Sequence, residues 1–272
     1  MNRKQVHHSL PIAAALLLSG ALAHGLWQEP PGMRALPVAG KVQWIEGTQG
    51  GNIGLLVGAE GTLIVDTYIA GGREALSAAV KAAAGSGVRL VVNTHWHGDH
   101  TGNNSVWGAT ATILAHENVR RRLAGDATLA GRAAAKSEPL ALPLVTFGDG
   151  LGLHLAGEDV RIRHFAAAHT DGDSVVVFEG SKVVHMGDLF FNKRFPFIDL
   201  ESGGGVRGVI AAVEEILADL DADWTIIPGH GPLAKRADLA GYLGMLRETS
   251  GLVAEAIEAG KTLAELKQED LL

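Results

Sequence analysis

Between positions 95 and 100 the chain reads His95-Trp96-His97-Gly98-Asp99-His100, three imidazoles and a carboxylate within six residues. A regular helix cannot aim all four at one place, because 3.6 residues per turn spread them around its axis. In an extended strand His95 and His97 share a face, and a turn at Gly98 redirects Asp99 and His100 toward a neighbouring position. The preceding run, residues 88–93, is apolar and β-branched and fits a buried strand that delivers the cluster at its carboxyl end. The fold therefore has to present a strand end to an interior site. One such histidine is ordinarily a hydrogen-bonded structural imidazole; four ligand-type residues this dense point instead to two adjacent metal positions.

The chemistry available for holding a metal is narrowed by composition. There is no Cys among the 272 residues, which removes disulfides, Cys nucleophiles, Cys-ligated zinc, iron–sulfur clusters and a lipid-modified amino-terminal Cys. Any metal must be held by His and carboxylates. A hydrophobic content of 47% supports a large core and excludes disorder or a stapled miniprotein. The formal charge of -7, with no Lys/Arg-rich run, lacks the electrostatic footprint of a nucleic-acid binder. Thirty-six glycines, roughly double the usual share of about 7%, fit many tight turns around short elements.

Residues 1–25 combine a basic start (Arg3, Lys4), an apolar run over 10–22 and the cleavage pattern Ala21-Leu22-Ala23. This is read as a secretory signal peptide over 1–23, cleaved after Ala23. The alternative, an uncleaved anchor, needs nearer ~20 apolar residues. The expected product is one exported, acidic, periplasmic domain over 24–272, with no stable membrane insertion after cleavage.

The remainder alternates between the two hydrophobic periods. Strands are expected at 41–46, 53–57 and 62–65, a helix at 73–84, strands at 88–93 and 111–115, and a helix at 116–123, while 125–143 is read as loop and short helix. A second series follows the same plan, with strands at 151–155, 160–165, 174–178 and 182–186. Val206, Val209, Ile210, Val213, Ile216, Leu217 and Leu220 mark an amphipathic helix. A buried strand at 224–227 then ends at Pro228-Gly229-His230-Gly231, and a last helix over 236–258 uses Leu239, Leu243, Leu246 and Val253 as its apolar side. Two sheet-rich halves, each ending in helices, imply an α/β (α+β) fold with helix layers outside two packed sheets.

The segment Thr94-His95-Trp96-His97-Gly98-Asp99-His100-Thr101-Gly102-Asn103 resembles the signature of the metallo-β-lactamase superfamily. The resemblance covers nearly all of the chain after the leader, since further matching positions follow in order: His169 in Ala168-His169-Thr170-Asp171-Gly172-Asp173, Asp188 in Met186-Gly187-Asp188, and His230 in Gly229-His230-Gly231. Asp66 matches the family's early Asp. The resemblance implies an αββα four-layer sandwich with a two-metal site along one sheet edge. His95, His97 and His169 would hold one ion, Asp99, His100 and His230 the second, and Asp188 would bridge both.

Physically, zinc accepts imidazole and carboxylate and leaves an open position for water in catalytic sites. Two cations roughly 3.5 to 4 Å apart would hold a bridging hydroxide at neutral pH and stabilise a developing oxyanion. Two Zn²⁺ per chain are expected, with Fe or Mn as alternatives, and Asp99 could pass a proton to the leaving group. Asp66 is read as orienting an imidazole rather than ligating, while Asp171 and Asp173 shape a turn. His116, His154, His164 and His185 are read as structural. Phe190, Phe191, Phe195 and Phe197 form either an apolar wall over the site or a loop packed on the core. Lys193 or Arg194 could contact a substrate carboxylate.

Departures from family subtypes narrow the activity. The largest zinc β-lactamase subclass carries Cys where this chain has Asp188, and the Asp looks instead like the glyoxalase II, arylsulfatase and lactonase branches. Only about forty residues follow His230, too few for the glutathione-binding extension of glyoxalase II. Nuclease branches carry an inserted domain and basic surfaces, and flavodiiron branches place Glu at the position of His97. The expectation is a di-zinc hydrolase of small molecules, opening an amide, lactam, ester or thioester bond in a β-lactamase-like manner. A sulfatase- or lactonase-type hydrolase, a redox di-iron protein and a non-hydrolytic metal-binding accessory module are the alternatives. The sequence carries no signal for an oligomeric state.

Overall fold

The computed structural model describes residues 32–268. The leader reading over 1–23 lies outside them. A first sheet starts with β1 (Leu36–Ala39), β2 (Val42–Ile45), β3 (Ile53–Gly58) and β4 (Gly61–Val65), an antiparallel meander. Helix α1 (Arg73–Ala83) then returns the chain so that β5 (Val88–Val92) lies parallel to β4. The short helices α2 (Gly98–Thr101) and α3 (Asn104–Trp107) lead into β6 (Thr112–His116), parallel to β5, and then α4 (Glu117–Leu123). The segment read as loop carries a small hairpin, β7 (Thr128–Leu129) with β8 (Arg132–Ala133), before β9 (Val145–Phe147) joins parallel to β6.

The second sheet repeats the plan. Strands β10 (Gly150–Leu155), β11 (Glu158–Phe165), β12 (Asp173–Phe178) and β13 (Val183–His185) form a meander. Helix α5 (Val206–Asp219) returns the chain to β14 (Thr225–Ile227), parallel to β13, and β15 (Ala234–Lys235) closes the edge. Helix α6 (Arg236–Glu258) spans the range expected from the sequence, and α7 (Leu263–Gln268) follows it.

Four layers follow from the two-residue period of the strands. In β3 and β4, Leu56, Leu63 and Val65 face the second sheet, while Ile53, Leu55 and Ile64 face α1 with Leu76 and Val80. In β12 to β14, Val176, Phe178, Val183 and Ile227 face the first sheet, and Val175, Val177, Val184 and Ile226 face Val209, Val213 and Ile216 of α5 and Leu239, Leu243 and Leu246 of α6. Central strands are buried on both faces, which is why they read as continuous apolar runs. The αββα sandwich is therefore present. Val253, expected on the apolar side of α6, is instead 37% exposed, while Ala256 one turn later is buried, so the covered face of the helix passes to one side of Val253. No helix among the described residues is long and apolar enough to cross a membrane.

Of the histidines read as structural, His154 is exposed and pairs with Asp159. His116 stacks on His164 across the two sheets, with ring centroids 3.6 Å apart and an interplanar angle of 8°, and its Nδ1 accepts from Asn118 N–H at the start of α4. The Nε2 of His185 lies 3.2 Å from the Asn52 carbonyl. Burial pushes both His116 and His185 down to about 4, with His164 adding to the effect at His116. The unfolded chain therefore takes up protons near pH 6.5 that the folded protein refuses until about pH 4. Stability is full above that window and falls as pH drops through it. Thermal melts of metal-free protein should show Tm decreasing steeply from pH 6.5 to 4; a flat profile over that interval would refute the neutral-imidazole assignment.

Candidate metal centre

Each half of the fold places a pair of parallel strands beside each other, β4 with β5 and β13 with β14, and their carboxyl ends open along one edge of the sandwich. Asp66 follows β4, the His95–His100 segment follows β5, Asp188 follows β13 and His230 follows β14. Open α/β sheets gather ligands at this end of their strands. His169 arrives from the turn between β11 and β12. Residues 51 and 52 tie two of these loops together: Gly51 N–H donates to the Asp99 carbonyl, Asn52 N–H to that of Gly229, and the Asn52 amide to those of Pro228 and Gly231.

Two groups result, His95, His97, His169 and Asp188 in one and Asp99, His100 and His230 in the other; within each, the ligand atoms lie within 4.8 Å of one another. In the first, outer partners fix the tautomers. His97 Nε2–H donates to Asp199 Oδ2 at 2.9 Å, and His169 Nδ1–H to the Phe197 carbonyl at 2.8 Å. Because the Thr94 hydroxyl donates to Asp66, its oxygen is free to accept from His95 Nδ1–H at 3.1 Å. The inward nitrogens, His95 Nε2, His97 Nδ1 and His169 Nε2, all carry lone pairs. His97 Nδ1 lies only 3.1 Å and 2.9 Å from the other two, so three acceptors converge with no proton between them. A cation satisfies that arrangement, and outer partners of this kind are what orient imidazole ligands.

The second group gives the same answer. His100 Nδ1–H donates to Asp66 Oδ2 at 2.7 Å, which in the neutral ring leaves the lone pair on Nε2. That nitrogen lies 3.1 Å from Asp188 Oδ1 without hydrogen-bond geometry, and both atoms are buried and otherwise unpartnered. Unpaired buried polar atoms are costly, and a shared cation removes the cost at both. Asp188 Oδ2 lies 3.5 Å from His169 Nε2 and 3.4 Å from His230 Nε2, so the carboxylate sits between the groups. The backbone makes room for this: a Cβ on Gly229 would stand 2.0 Å from Asp188 Oδ1, and one on Gly51 2.2 Å from the His100 ring. The residues present fit a metal cofactor.

Electrostatics separate the two groups. Burial, reinforced by neighbouring imidazoles, holds His95 well below the usual range, and burial takes His169 down to about 4. Burial also opposes charge on His100, yet Asp188, Asp66 and Asp99 hold its pKa well above the ordinary value. At His230 hydrogen bonds to Asp188 and Asp99 outweigh burial and push it up to about 9. Burial opposes ionisation of Asp188, but His100 and His169 keep its carboxyl well below the carboxylate range. The second group thus favours positive charge, which a proton or a metal ion can provide.

Asp66 touches Thr94 and His100 and lies in neither group, so its predicted orienting position agrees with its contacts. It adopts a left-handed φ of 63°, a conformation costly for a non-glycine residue, and three hydrogen bonds to its carboxylate hold it there. Asp173 accepts from Thr170 N–H and hydroxyl, shaping the turn beside His169, whereas Asp171 forms a paired contact with Arg122. The phenylalanines divide. Phe190 and Phe191 are buried, Phe191 stacking on His230 at 5.0 Å, while Phe195 and Phe197 are exposed and Phe197 stands 5.9 Å from the His97 ring. Lys193 is exposed on the far side of this loop and lines a cavity with Arg194 and Tyr242. Sequence reading missed Asp199, because it is separated from His97 by 102 positions and belongs to no local motif; its one signal is its place in a short, Gly-flanked turn.

The family model of the metallo-beta-lactamase superfamily matches residues 47–230. Among solved structures, a metallo-beta-lactamase from Pontibacter korlensis is 18% identical with a TM-score of 0.67, over 79% of this chain and 99% of that one. The DIM-1 metallo-beta-lactamase is 19% identical at a TM-score of 0.65, over 81% and 99%. The same protein exposed to ceftazidime gives 19% and 0.65 over 82% and 99%. At these identities the likeness concerns the fold. No curated protein matches the chain. The matched span ends on His230 and takes in every member of both groups.

Asp199→Ala should weaken metal binding by about 10- to 100-fold, the usual cost of losing an outer partner, while leaving the fold intact by circular dichroism. Asp199→Asn, which can still accept from His97, should recover part of that loss. Equal metal affinity in wild type and Asp199→Ala, measured by chelator competition, would show that His97 needs no such support.

Proposed function

This chain belongs to the metallo-beta-lactamase superfamily, and on that premise we propose that it is an exported di-zinc hydrolase that opens the acyl bond of a small amide, lactam, ester or thioester. The observation that carries the reading is the pair of abutting groups in which inward imidazole nitrogens and Asp188 Oδ1 lack protons or partners of their own. His95, His97 and His169 would hold one ion, Asp99, His100 and His230 the other, with Asp188 shared. Zinc suits a set of imidazoles and carboxylates, and Fe or Mn could occupy the same donors. Bound divalent metal supplies a Lewis acid for the scissile carbonyl and brings a water within reach of deprotonation near pH 7.

The chain's own residues do the rest. Asp99 is the most accessible carboxylate of the two groups, with 31% of its side chain exposed, and its Oδ2 lies 3.3 Å from His230 Nε2. It can hold a proton at the mouth of the site and pass it to the leaving atom. Hydrolysis adds one water across the acyl bond: oxygen goes to the carbonyl carbon, the bond to the leaving nitrogen, oxygen or sulfur breaks, and that atom takes a proton. Phe191 stacks on His230 and Phe197 stands beside the His97 and His169 rings, and these apolar neighbours lower the local polarity, which strengthens charge interactions inside. Asp66, Asp199 and the Phe197 carbonyl hold the imidazoles in place before substrate arrives, so no reorganisation is required during the reaction. The leader over 1–23, cleaved after Ala23, would deliver this domain to the periplasm.

Zinc-loaded protein from His24 onward should hydrolyse at least one of three probes, a chromogenic cephalosporin, a p-nitrophenyl acetate ester and an acetyl thioester. Asp99→Asn should lower kcat by about 10²- to 10⁴-fold, the range for a lost acid–base group, and Asp188→Ala should lose bound metal and turnover together. Stoichiometric zinc with no turnover of any probe would sink the acyl-hydrolase reading.

A further inference from the structure

Four of the five imidazoles in the two metal groups have their outer nitrogen held by a protein acceptor: His95 by the Thr94 hydroxyl, His97 by Asp199, His100 by Asp66 and His169 by the Phe197 carbonyl. His230 differs. Its polar contacts are all made by Nε2, with Asp99 Oδ2 at 3.3 Å and Asp188 Oδ2 at 3.4 Å, and among the described residues its Nδ1 has no hydrogen-bond partner. With 15% of its side chain exposed, it is also the most open of the five. The outer hydrogen bond is what ordinarily fixes the orientation of a ligating imidazole, so something else has to restrain this ring.

The Phe191 ring lies nearly parallel to it, with centroids 5.0 Å apart and an interplanar angle of 19°, an offset stack. Backbone contacts set the two rings in register. Phe191 and His230 form a parallel β-bridge, Asn192 N–H donates to the His230 carbonyl at 2.9 Å, and Gly229 N–H donates to the Phe190 carbonyl at 3.0 Å. The Asn192 amide reaches the Pro232 carbonyl at 2.9 Å. Gly231 permits this approach: its φ is 94°, and a Cβ there would stand 2.4 Å from the Asn192 carbonyl oxygen. Phe191 is itself buried in the core beneath, so it offers His230 a fixed flat wall. We infer that Phe191 is a positioning residue for the second metal group, its ring replacing a hydrogen-bonded partner in setting the plane in which His230 presents Nε2 to a divalent cation. The inference rests on the two-ion reading of the site. A cation on Nε2 withdraws electrons from the imidazole, and an electron-poor ring is held more firmly by an aromatic face, so the stack favours the loaded state. Phe191 also stands 6.1 Å from the His169 ring, tilted at 54°, but His169 is already held by the Phe197 carbonyl, which confines the effect of Phe191 to the second group.

The test is zinc titration of the metal-free protein in competition with a chromophoric chelator, which resolves two uptake steps in the wild type. Phe191→Leu and Phe191→Met keep the bulk and remove the flat face. Each should weaken one step about tenfold, where the worth of an aromatic pair meets the cost of a lost outer partner, and leave the other within about twofold. Phe191→Tyr, which keeps the face, should restore the weakened step to within about threefold of wild type. In a His230→Ala background, with the first group intact, the same substitutions should move the affinity of the remaining ion by less than about twofold, since distant or absent partners do not couple. A tenfold loss that persists in that background assigns the effect to His169 or to the fold and overturns the inference. So does unchanged affinity at both steps in the folded variants, which leaves the two-ion reading standing. Uptake of a single ion by the wild type sinks both together. Proton spectra of the cobalt-loaded wild type need no variant: the His230 ring N–H should exchange with solvent while those of His97, His100 and His169 persist, and equal protection at His230 would reveal a protein acceptor and overturn the inference.

Discussion

Asp188 is a buried carboxylate facing four imidazoles, and His169, whose Nδ1–H is already given to the Phe197 carbonyl, has no proton on the nitrogen that faces it. An ionised carboxylate in such a place is tolerated only with a compensating positive charge. Much of the surrounding structure serves that requirement. Glycines at 51 and 229 let backbone approach where a Cβ would collide with His100 or Asp188, and Asp66 accepts a strained backbone angle to reach Thr94 and His100 together. Asn52 fastens the His230 loop from the opposite sheet. Because the donors come from four separate segments, metal binding and folding would be coupled here. In a chain without a single disulfide, the ion would tie the two sheets together at the edge where their strands end.

Most of this architecture is legible in the sequence wherever one physical signal dominates. Apolar runs with a period of two or of three and four located the central strands and the helices α1, α5 and α6 almost to the residue, since buried elements have little freedom in composition. The edges were harder. Strand β9 is three residues long, follows Pro143 and exposes Val145 and Thr146, so neither alternation nor an apolar run marks it. Hairpin β7–β8 has two residues per strand and is held by Gly131 N–H donating to the Glu201 carboxylate, a contact with no local trace. The exposure of Val253 is a miss of another sort: its spacing is helical and apolar, but periodicity says which face a residue is on and not whether anything covers that face.

The candidate site divides along the same line. His95, His97, Asp99 and His100 announce themselves because they are adjacent in sequence, whereas His169 and Asp188 were carried by the family resemblance, and His230 by that resemblance together with its place after a buried strand. What positions those groups comes from far away in the chain. Asp199 and the Phe197 carbonyl orient His97 and His169 from a loop that reads, in sequence, only as a phenylalanine-rich connection. The residue types there were visible; their contacts depend on how the loop crosses the edge between β13 and α5.

That loop also explains why the phenylalanines could not be assigned to a wall or to the core from sequence. It does both, because its ends are fixed at Asp188 and Asp199 and its middle has to span the gap between the metal groups and α6. Phe190 packs against Tyr242 and Phe191 against His230, which anchors the first half. In the second half Phe197 meets the edges of the His97 and His169 rings with one side only, and Phe195 and Phe197 remain more than half exposed. The positioning of the imidazoles and the outer surface beside them are thereby carried by the same twelve residues, 188–199. A substitution that loosens the strap acts on His97 and His169 through Asp199 and the Phe197 carbonyl, whereas one confined to its outer face leaves those two hydrogen bonds in place.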